Sequence, residues 1–402
     1  MDPIRNPYAP GAGQRPPELA GRDEQLHAFE IVLERVAKRR PERSLILTGL
    51  RGVGKTVLLN ALRSSAVRAG WGTGKLEARP DQGLRRPLSS AAHTAIRELG
   101  HPQSRPAQLD DATHVLGVIK SFAQRDTGPD AKLRDRWNPG IDAPAVRGRA
   151  DSGDIEIDLV ELLSDVGGLA GDIGKGVAIF IDEMQDLGPD DVSALCAACH
   201  EISQASLPVI VVGAGLPHLP SVLSASKSYS ERLFHYQRID RLDRTAADRA
   251  LSAPAKEEGA EFTPDALEAM FDATGGYPYF IQAYGKEVWE LAPRSPVTAD
   301  DVAVAAPAAQ NELAVGFFGS RYDRATPGER EYLRAMADAA EQHEDADSVP
   351  TAAVAALLGR KPQSLSPARD TLMKKGLIYS GERGRIAFTV PHFGRYLRDQ
   401  AT

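Results

Sequence analysis

One stretch of sequence decides the fold, and it reads Leu45-Ile46-Leu47-Thr48-Gly49-Leu50-Arg51-Gly52-Val53-Gly54-Lys55-Thr56. The apolar residues at its start have the length of a short strand, and residues 57–66 after it have the apolar spacing of a helix. The stretch matches the pattern G-x-x-x-x-G-K-[ST] in the strand-to-helix context that the pattern requires. It therefore predicts a glycine-rich loop that binds phosphate groups.

The residue types of this loop suit a nucleotide with its metal ion. Glycines let the backbone turn and bring its N–H groups onto phosphate oxygens, and the start of the next helix adds a favourable dipole. Lys55 supplies charge to the β- and γ-phosphates, so we count it as catalytic too, and Thr56 offers a hydroxyl to Mg²⁺. We therefore predict ATP and Mg²⁺ as cofactors, with nucleotide contacts at Gly49, Leu50, Arg51, Gly52, Val53, Gly54, Lys55, Thr56 and Val57.

A second motif places two carboxylates directly after the apolar run at residues 177–181. A continuous apolar run is typical of a strand buried on both faces. Open α/β sheets bind ligands at the carboxyl ends of their strands, where this motif and the phosphate loop both fall. We predict that Asp182 holds Mg²⁺ through water and that Glu183 is the catalytic base that polarises the attacking water. A solvated acidic turn is the alternative interpretation.

Together the two motifs resemble the Walker A and Walker B motifs of the additional-strand P-loop ATPases, the AAA+ and STAND group. Residues 19–24, Leu-Ala-Gly-Arg-Asp-Glu, resemble a segment that packs beside adenine in that group, which implies nucleotide contacts at Gly21 and Arg22. Residues 275–279, Gly-Gly-Tyr-Pro-Tyr, resemble the Gly-x-Pro turn of the lid, which implies contacts at Tyr277 and Pro278.

The resemblance covers roughly residues 19–400, apart from residues 125–154. The combination of these motifs is similar to that of origin-recognition-like and archaeal-type ATPases. It implies a catalytic arginine acting in trans at Arg232, with Arg238 and Arg241 as alternatives, and hence self-association. A surface salt bridge is the competing interpretation of Arg232. The chain departs from the family pattern at Gly213-Ala214-Gly215, which offers no polar side chain where AAA+ proteins usually carry sensor 1.

The rest of the chain indicates three domains. Strands alternating with helices predict an α/β P-loop NTPase domain with a parallel sheet over residues 1–242. Within it, residues 125–154 are rich in Gly, Pro, Asp and Arg, which predicts a flexible, exposed insertion. Residues 243–325 carry no strand signal and predict an all-α lid. Residues 326–402 predict a winged-helix domain of three helices and a two-stranded wing.

The C-terminal segment is basic although the chain carries a net charge of −7. Residues 351–402 hold nine basic and three acidic residues, a net charge of +6. Such a patch suits DNA phosphates, which dominate the affinity of proteins for duplex DNA. The predicted DNA-binding residues are Arg360, Lys361, Arg369, Lys374, Arg383 and Arg385. A winged helix with a solvated basic face that contacts protein is the alternative.

Composition limits the remaining possibilities. The chain has 402 residues, of which 42% are hydrophobic, so it can bury a core. Its two cysteines, Cys196 and Cys199, exclude a disulfide scaffold and suit the cytoplasm. They precede His200 in a haem-attachment pattern, but small core residues of a helix are the better interpretation. With neither a secretory signal nor an 18-residue apolar run, we expect no membrane partner.

Two functions are consistent with these observations. One is a DNA-binding ATPase that couples ATP binding and hydrolysis to a conformational change. The other is an ATP-gated signalling switch of STAND type, with slow hydrolysis and a winged helix that contacts a protein partner. The basic C-terminus favours DNA, and the Gly-x-Pro turn together with the missing sensor 1 favours the switch.

Overall fold

The computed structural model describes residues 1–11, 13–99, 106–124, 140–342, 348–380 and 382–400, the side chains of residues 106–109 excepted. These residues form two compact units. The sheet unit comprises Asp23–Thr48 and Leu58–Arg238, and the second unit comprises Met1–Arg22, Gly49–Val57 and Ile239–Thr402. Over the described ranges, every helix is too short or too polar to span a membrane.

The sheet unit is built on five parallel strands. They are β1 (Ser44–Thr48), β2 (Gly72–Glu77), β3 (Val177–Asp182), β4 (Val209–Gly215) and β5 (Phe234–Arg238). The strand order is β2-β3-β4-β1-β5, so β4 lies between β1 and β3. Because all strands are parallel, Thr48 and Asp182 end their strands at the same edge of the sheet. The predicted α/β fold with a parallel sheet is confirmed.

Helices flank this sheet, and their apolar side chains form a core together with those of the strands. They are α1 (Asp23–Ala37), α2 (Lys55–Arg68), α3 (Arg85–Leu99), α4 (Pro106–Gln124), α5 (Ile155–Ile173), α6 (Pro189–Gln204), α7 (Leu219–Ser226) and α8 (Ser230–Leu233), and the first residues of α2 belong to the second unit. β1, β3 and β4 are buried along their whole length, as their continuous apolar runs predict. The residues at the carboxyl edge of the sheet therefore follow directly from buried strands.

Residues 140–154, the described part of the predicted insertion, are largely exposed but are anchored to the sheet unit at several positions. Ile141 and Ala150 are 3% and 0% exposed and belong to the apolar core of the sheet unit. The Lys120 ammonium of α4 donates to the carbonyl oxygens of Ile141 and Ala143, at 3.1 and 2.8 Å. The Gly- and Pro-rich composition hides this packing, because the bonds are made by backbone atoms. The remaining part of the predicted insertion, residues 125–139, lies outside the described residues.

A buried ion pair fixes the end of this segment. The Asp158 carboxylate is fully buried and accepts a 2.6 Å bond from the Arg85 guanidinium. It also accepts bonds from the backbone N–H and the hydroxyl of Ser152, at 2.8 and 2.6 Å, and from the Gly153 N–H. Burial by itself raises the pKa of Asp158, but the hydrogen bonds from Ser152 and Arg85 bring that pKa below its ordinary value.

We expect Asp158→Asn to lower the free energy of unfolding by about 3–5 kcal/mol, because it leaves the Arg85 charge buried without its counter-ion. Since the folded-state pKa is depressed, the stabilisation is present above the unfolded-state pKa and is lost as pH falls through the folded-state value. Urea unfolding measures the change, with the exposed Asp172→Asn as the matched control. A loss below about 1 kcal/mol would mean that the pair contributes little to stability.

Residues 244–322 of the second unit are mostly helical, as predicted for the lid. Its helices are α9 (Arg244–Glu257), α10 (Pro264–Thr274), α11 (Pro278–Leu291), α12 (Ala299–Glu312), a π-helix (Leu313–Gly319) and α13 (Ser320–Tyr322). The lead-in at residues 1–11 packs on these helices through Tyr8, which is 3% exposed and donates its hydroxyl to the Leu251 carbonyl.

The C-terminal segment combines helices with a small antiparallel sheet. The helices are α14 (Pro327–Gln342), α15 (Thr351–Leu357), α16 (Ser366–Lys374) and α17 (Phe393–Asp399). The strands β6 (Val349–Pro350), β7 (Ile378–Tyr379) and β8 (Arg385–Phe388) pair in the order β6-β8-β7. The sequence therefore predicts the first three helices and the hairpin, but it misses β6 and α17. The division of the chain into domains at residues 242 and 325 stays a prediction.

Candidate functional site

The phosphate loop begins directly after β1, and its glycines occupy positions that other residues would strain. Gly52 and Gly54 have φ angles of +86° and +90°, in the left-handed region that favours glycine. A Cβ atom on Gly49 would lie 2.2 Å from the Ile239 carbonyl oxygen. The backbone thus follows a tight path that requires these glycines, as the sequence motif predicts.

The Lys55 side chain turns back onto its own loop. Its ammonium donates to the carbonyl oxygens of Gly49 and Leu50, at 2.9 and 2.8 Å, and the residue is 9% exposed. The loop thereby holds a buried cation at the first turn of α2, where an anion is also favoured by the helix dipole. This donor set fits the phosphates of a nucleotide. Thr56, the predicted magnesium residue of the loop, follows Lys55 and is half-buried.

The other side of the loop is bound by residues far along the chain. The Arg51 backbone N–H donates to the Thr389 carbonyl oxygen at 2.8 Å, and the Tyr279 N–H donates to the Gly52 carbonyl oxygen at 3.3 Å. Phe317 of the π-helix stacks on the Tyr279 ring, with centroids 4.7 Å apart. The phosphate loop is therefore held by the helical lid and by the residues that follow β8. These contacts were not predicted, because backbone bonds leave no signal in the sequence.

Arg22, predicted to contact the nucleotide, supports the loop from its own side. It is 8% exposed, and its guanidinium donates to the carbonyl oxygens of Val53 and Asp240, at 3.2 and 2.7 Å. Burial lowers the pKa of Arg22, against the opposing effect of the Asp240 charge. Gly21 precedes it with a φ of +67°. The structure thus gives Arg22 a role in fixing the loop, and its contact with nucleotide stays a prediction.

The predicted lid residues form the start of α11. Pro278 occupies the first turn of this helix, where a missing backbone N–H costs nothing. The Tyr277 ring packs against Phe280 and His392, with centroid distances of 5.7 and 5.6 Å. Tyr277 therefore belongs to an aromatic cluster of the second unit, and its contact with the nucleotide stays a prediction.

The acidic pair lies at the carboxyl end of β3. Asp182 is 6% exposed, and its carboxylate accepts the backbone N–H of Glu183 at 3.0 Å. Glu183 adopts a left-handed backbone, with φ 51° and ψ 42°, which is uncommon for a residue with a side chain. Such strained positions cluster at functional sites. The turn thus places two carboxylates of different burial side by side.

Gln185 is a residue of this site that the sequence does not reveal. Its side-chain N–H donates to a Glu183 carboxylate oxygen at 2.7 Å. Its side-chain oxygen accepts the backbone N–H of Leu216, the residue after β4, at 3.0 Å. The glutamine therefore connects the predicted base to the neighbouring strand of the sheet.

The residues Gly213-Ala214-Gly215 are part of β4, and the lack of a Cβ atom at the two glycines has a steric reason. A Cβ atom on Gly213 would lie 1.9 Å from the Met184 sulfur, and one on Gly215 would lie 2.9 Å from the Gln185 side-chain oxygen. The turn after β3 occupies the space that a polar residue of β4 would need. The absence of a polar residue at the sensor 1 position therefore coincides with packing of Met184 and Gln185 against the two glycines.

Two other groups of predicted residues have defined surroundings. Arg232 is exposed on the short helix α8, and Arg238 and Arg241 are exposed as well, so the assignment of an arginine finger stays a prediction.

Cys196 and Cys199 are buried in α6, as expected of core residues. Burial raises their pKa values to about 11 and about 12, so both thiols are protonated at neutral pH.

The predicted DNA-binding residues fall into two classes. Four are exposed, namely Arg360, Lys361, Lys374 and Arg383. The other two are half-buried: Arg369 lies 3.3 Å from the carboxylate of its neighbour Asp370, and Arg385 donates to the hydroxyl and carbonyl oxygens of Ser348, at 2.8 and 2.7 Å. Arg385 therefore links β8 to the residue before β6.

Comparison with known families identifies two segments. A family model described as an AAA ATPase domain matches residues 18–212, which include the phosphate loop and the acidic pair. A model described as a domain of unknown function (DUF8462) matches residues 315–397. No curated protein matches the chain in sequence.

Solved structures match along nearly the whole chain. A Walker-type ATPase of Pyrococcus abyssi is 16% identical with a TM-score of 0.57, over 96% of this chain and 97% of that one. At this identity the likeness shows a shared fold. The RuvB Holliday junction branch migration motor of Thermotoga maritima is 16% identical with a TM-score of 0.44, over 96% and 99% of the two chains.

A third match is the Orc1 protein of Aeropyrum pernix in complex with DNA, at 14% identity and a TM-score of 0.45, over 96% of this chain and 94% of that one. The family match covers both nucleotide motifs, and it agrees with the resemblance drawn from the sequence. Residues 18–212 of this chain therefore form an AAA ATPase domain.

Proposed function

We propose that this chain binds ATP with Mg²⁺ and hydrolyses it to ADP and phosphate. The observation that carries the proposal is the phosphate loop of an AAA ATPase domain, with its glycine backbone and the inward-turned Lys55. Formation of ADP and phosphate from ATP by the purified chain tests it.

Residues of both motifs have the chemistry that this reaction needs. Lys55 would exchange its two backbone acceptors for phosphate oxygens, which offer full negative charge in their place. Thr56 and Asp182 provide a hydroxyl and a carboxylate, the hard oxygen ligands that Mg²⁺ prefers. The bound ion would neutralise charge that develops on the transferred phosphoryl group. Glu183 would accept a proton from the attacking water.

We propose further that the C-terminal segment is a winged helix that binds duplex DNA. Its helices α14–α16 and the β7–β8 hairpin supply the expected elements, and its basic residues contrast with the net charge of the chain. Arg360, Lys361, Lys374 and Arg383 are exposed and would contact phosphates. Arg369 and Arg385 would contribute less, because they are half-buried and their guanidinium groups already have protein partners. Arg360 lies 3.5 Å from the Glu331 carboxylate, but both of these side chains are exposed.

Replacing Arg360, Lys361 and Lys374 with Ala should weaken DNA binding and its salt dependence. For every phosphate that the variant no longer binds, the slope of log affinity against log salt should flatten by about 0.9 on duplex DNA. Fluorescence anisotropy with a labelled duplex, over a range of salt concentrations and with or without ATP, measures this slope.

The matched control for this triple variant removes three exposed basic residues of the sheet unit, Lys38, Arg40 and Arg43. The control should keep the wild-type slope, and both triple variants should keep wild-type ATP affinity. If the wild type fails to bind duplex DNA at about 50 mM salt, where phosphate contacts are strong, the DNA proposal is wrong. Equal slopes for the wild type and the C-terminal variant would place DNA binding on other residues.

A second candidate is an ATP-gated switch whose C-terminal segment contacts a protein partner. The bond from the Arg51 N–H to the Thr389 carbonyl favours it, because it joins the phosphate loop directly to residues of that segment. A rearrangement of the loop on nucleotide binding would act on this bond. Self-association, with Arg232 supplied to a neighbouring copy, is a further part of the proposal and rests on the family resemblance.

A further inference from the structure

The turn after β3 contains a hydrogen-bonded chain that ends on the backbone of Leu216, the residue after the neighbouring strand β4. Gln185 donates to Glu183 at 2.7 Å and accepts from the Leu216 N–H at 3.0 Å. Since a backbone N–H can only donate, the amide oxygen must face Leu216 and the amide nitrogen must face the carboxylate. The orientation of the amide is therefore set by its partners.

The surroundings of Gln185 are shaped to accept this side chain. Gly215 leaves the space that the amide oxygen occupies, since a Cβ atom there would lie 2.9 Å from it. Met184 fills the space over Gly213 in the same way and is fully buried. Met184 thus packs against Gly213, and Gln185 packs against Gly215. Both residues of the turn therefore contact β4.

We propose that Gln185 is a positioning residue for ATP hydrolysis, which fixes the Glu183 carboxylate by tethering it to the end of β4. The proposal rests on the proposed function, in which Glu183 is the base. A carboxylate on a strained left-handed residue has several rotamers, and a donor at 2.7 Å from one of its oxygens selects among them. A base held in one orientation saves the reorganisation that hydrolysis would otherwise require.

The glycines of β4 leave the space that this hydrogen-bonded turn needs. The family resemblance predicts a polar residue here, and Gly213-Ala214-Gly215 carries none. Gln185 is a polar group that bonds to the backbone of Leu216, the residue after the same strand. It connects the end of β4 to Glu183 without a polar side chain on β4.

Gln185→Met tests the tether, because methionine keeps the length and volume of the side chain and makes neither hydrogen bond. We expect kcat for ATP hydrolysis to fall by about tenfold to hundredfold, as for other misplaced catalytic groups. ATP affinity, measured by calorimetry, should stay within about twofold of wild type, since Gln185 acts on the base alone. The exposed Gln204→Met in the same unit is the matched control and should leave kcat unchanged.

A double variant separates positioning from a general loss of structure. If Gln185 acts through Glu183, adding Gln185→Met to Glu183→Gln should lower the residual kcat by less than about twofold. Should Gln185→Met fail to fold, Gln185→Glu keeps an acceptor for Leu216 and replaces the donor with a charge that repels Glu183. We expect that variant to lose at least as much kcat.

Three results would overturn the proposal. Wild-type kcat in Gln185→Met, or an increase, would mean that the bond does not position the base. An equal loss of kcat in the presence and absence of Glu183→Gln would mean that Gln185 acts independently of Glu183. A wild-type chain that binds ATP without hydrolysing it would refute the proposed ATPase function, and the role of Gln185 with it.

Discussion

Glu183→Gln should bind ATP with nearly wild-type affinity and hydrolyse it about 10²–10⁴-fold more slowly. The amide keeps the shape of the side chain and removes the group that accepts a proton from water. Its oxygen can still accept the bond that Gln185 donates to the carboxylate in the wild type. The change is therefore confined to the base, and its effect should appear in kcat with little change in ATP affinity.

Steady-state release of phosphate and calorimetric titration with ATP measure the two quantities separately. Glu201→Gln, an exposed substitution on α6 of the same unit, is the matched control and should leave both unchanged. Asp182→Asn should behave differently, since we expect it to weaken the dependence of hydrolysis on Mg²⁺ concentration. Turnover of Glu183→Gln within about twofold of wild type would exclude Glu183 as the base.

Lys55→Ala should lose most of the affinity for ATP. The ammonium makes two hydrogen bonds inside the loop, and both donors would become available to phosphate oxygens. A hydrogen bond to a charged group contributes about 1.5–3 kcal/mol, so removing one or more should raise Kd by at least tenfold and up to several hundredfold.

Calorimetry with MgATP measures this affinity, and circular dichroism confirms that the variant is folded. Lys55→Met keeps the aliphatic part of the buried side chain and should show the same loss, which separates the charge from the packing. Lys38→Ala, on an exposed residue of the sheet unit, should bind ATP as the wild type does. Unchanged affinity in folded Lys55→Ala would mean that residues 49–56 are not the phosphate loop.

The elements that the sequence predicts well are those whose signal is local. The apolar run at residues 177–181 corresponds to β3, and the glycine pattern at residues 49–56 corresponds to a loop with left-handed glycines. The residue types of each segment are enough to indicate its structure, because an apolar run favours a buried strand and glycine favours left-handed backbone. The parallel sheet and the positions of both nucleotide motifs after strands therefore follow from the sequence alone.

The elements that the sequence does not predict depend on contacts between distant residues. The Arg51 N–H bonds to Thr389, more than 300 residues away, through backbone atoms that carry no residue preference. Residues 140–154 have the composition of a loop, yet Asp158 and Lys120 bind their backbone. Gln185 looks like any polar residue of a turn, because its role depends on the neighbouring strand.

The most direct test of the proposed function is the amount of ADP and phosphate that the wild-type chain forms from MgATP, measured beside Glu183→Gln. We expect the wild type to complete several turnovers per chain, and the variant to bind ATP and retain it unhydrolysed over the same period. Product formation that persists in Glu183→Gln at the wild-type rate would contradict the proposed mechanism. A folded wild-type chain that fails to bind ATP at about 1 mM, the upper end of typical KM values, would contradict the proposed function itself.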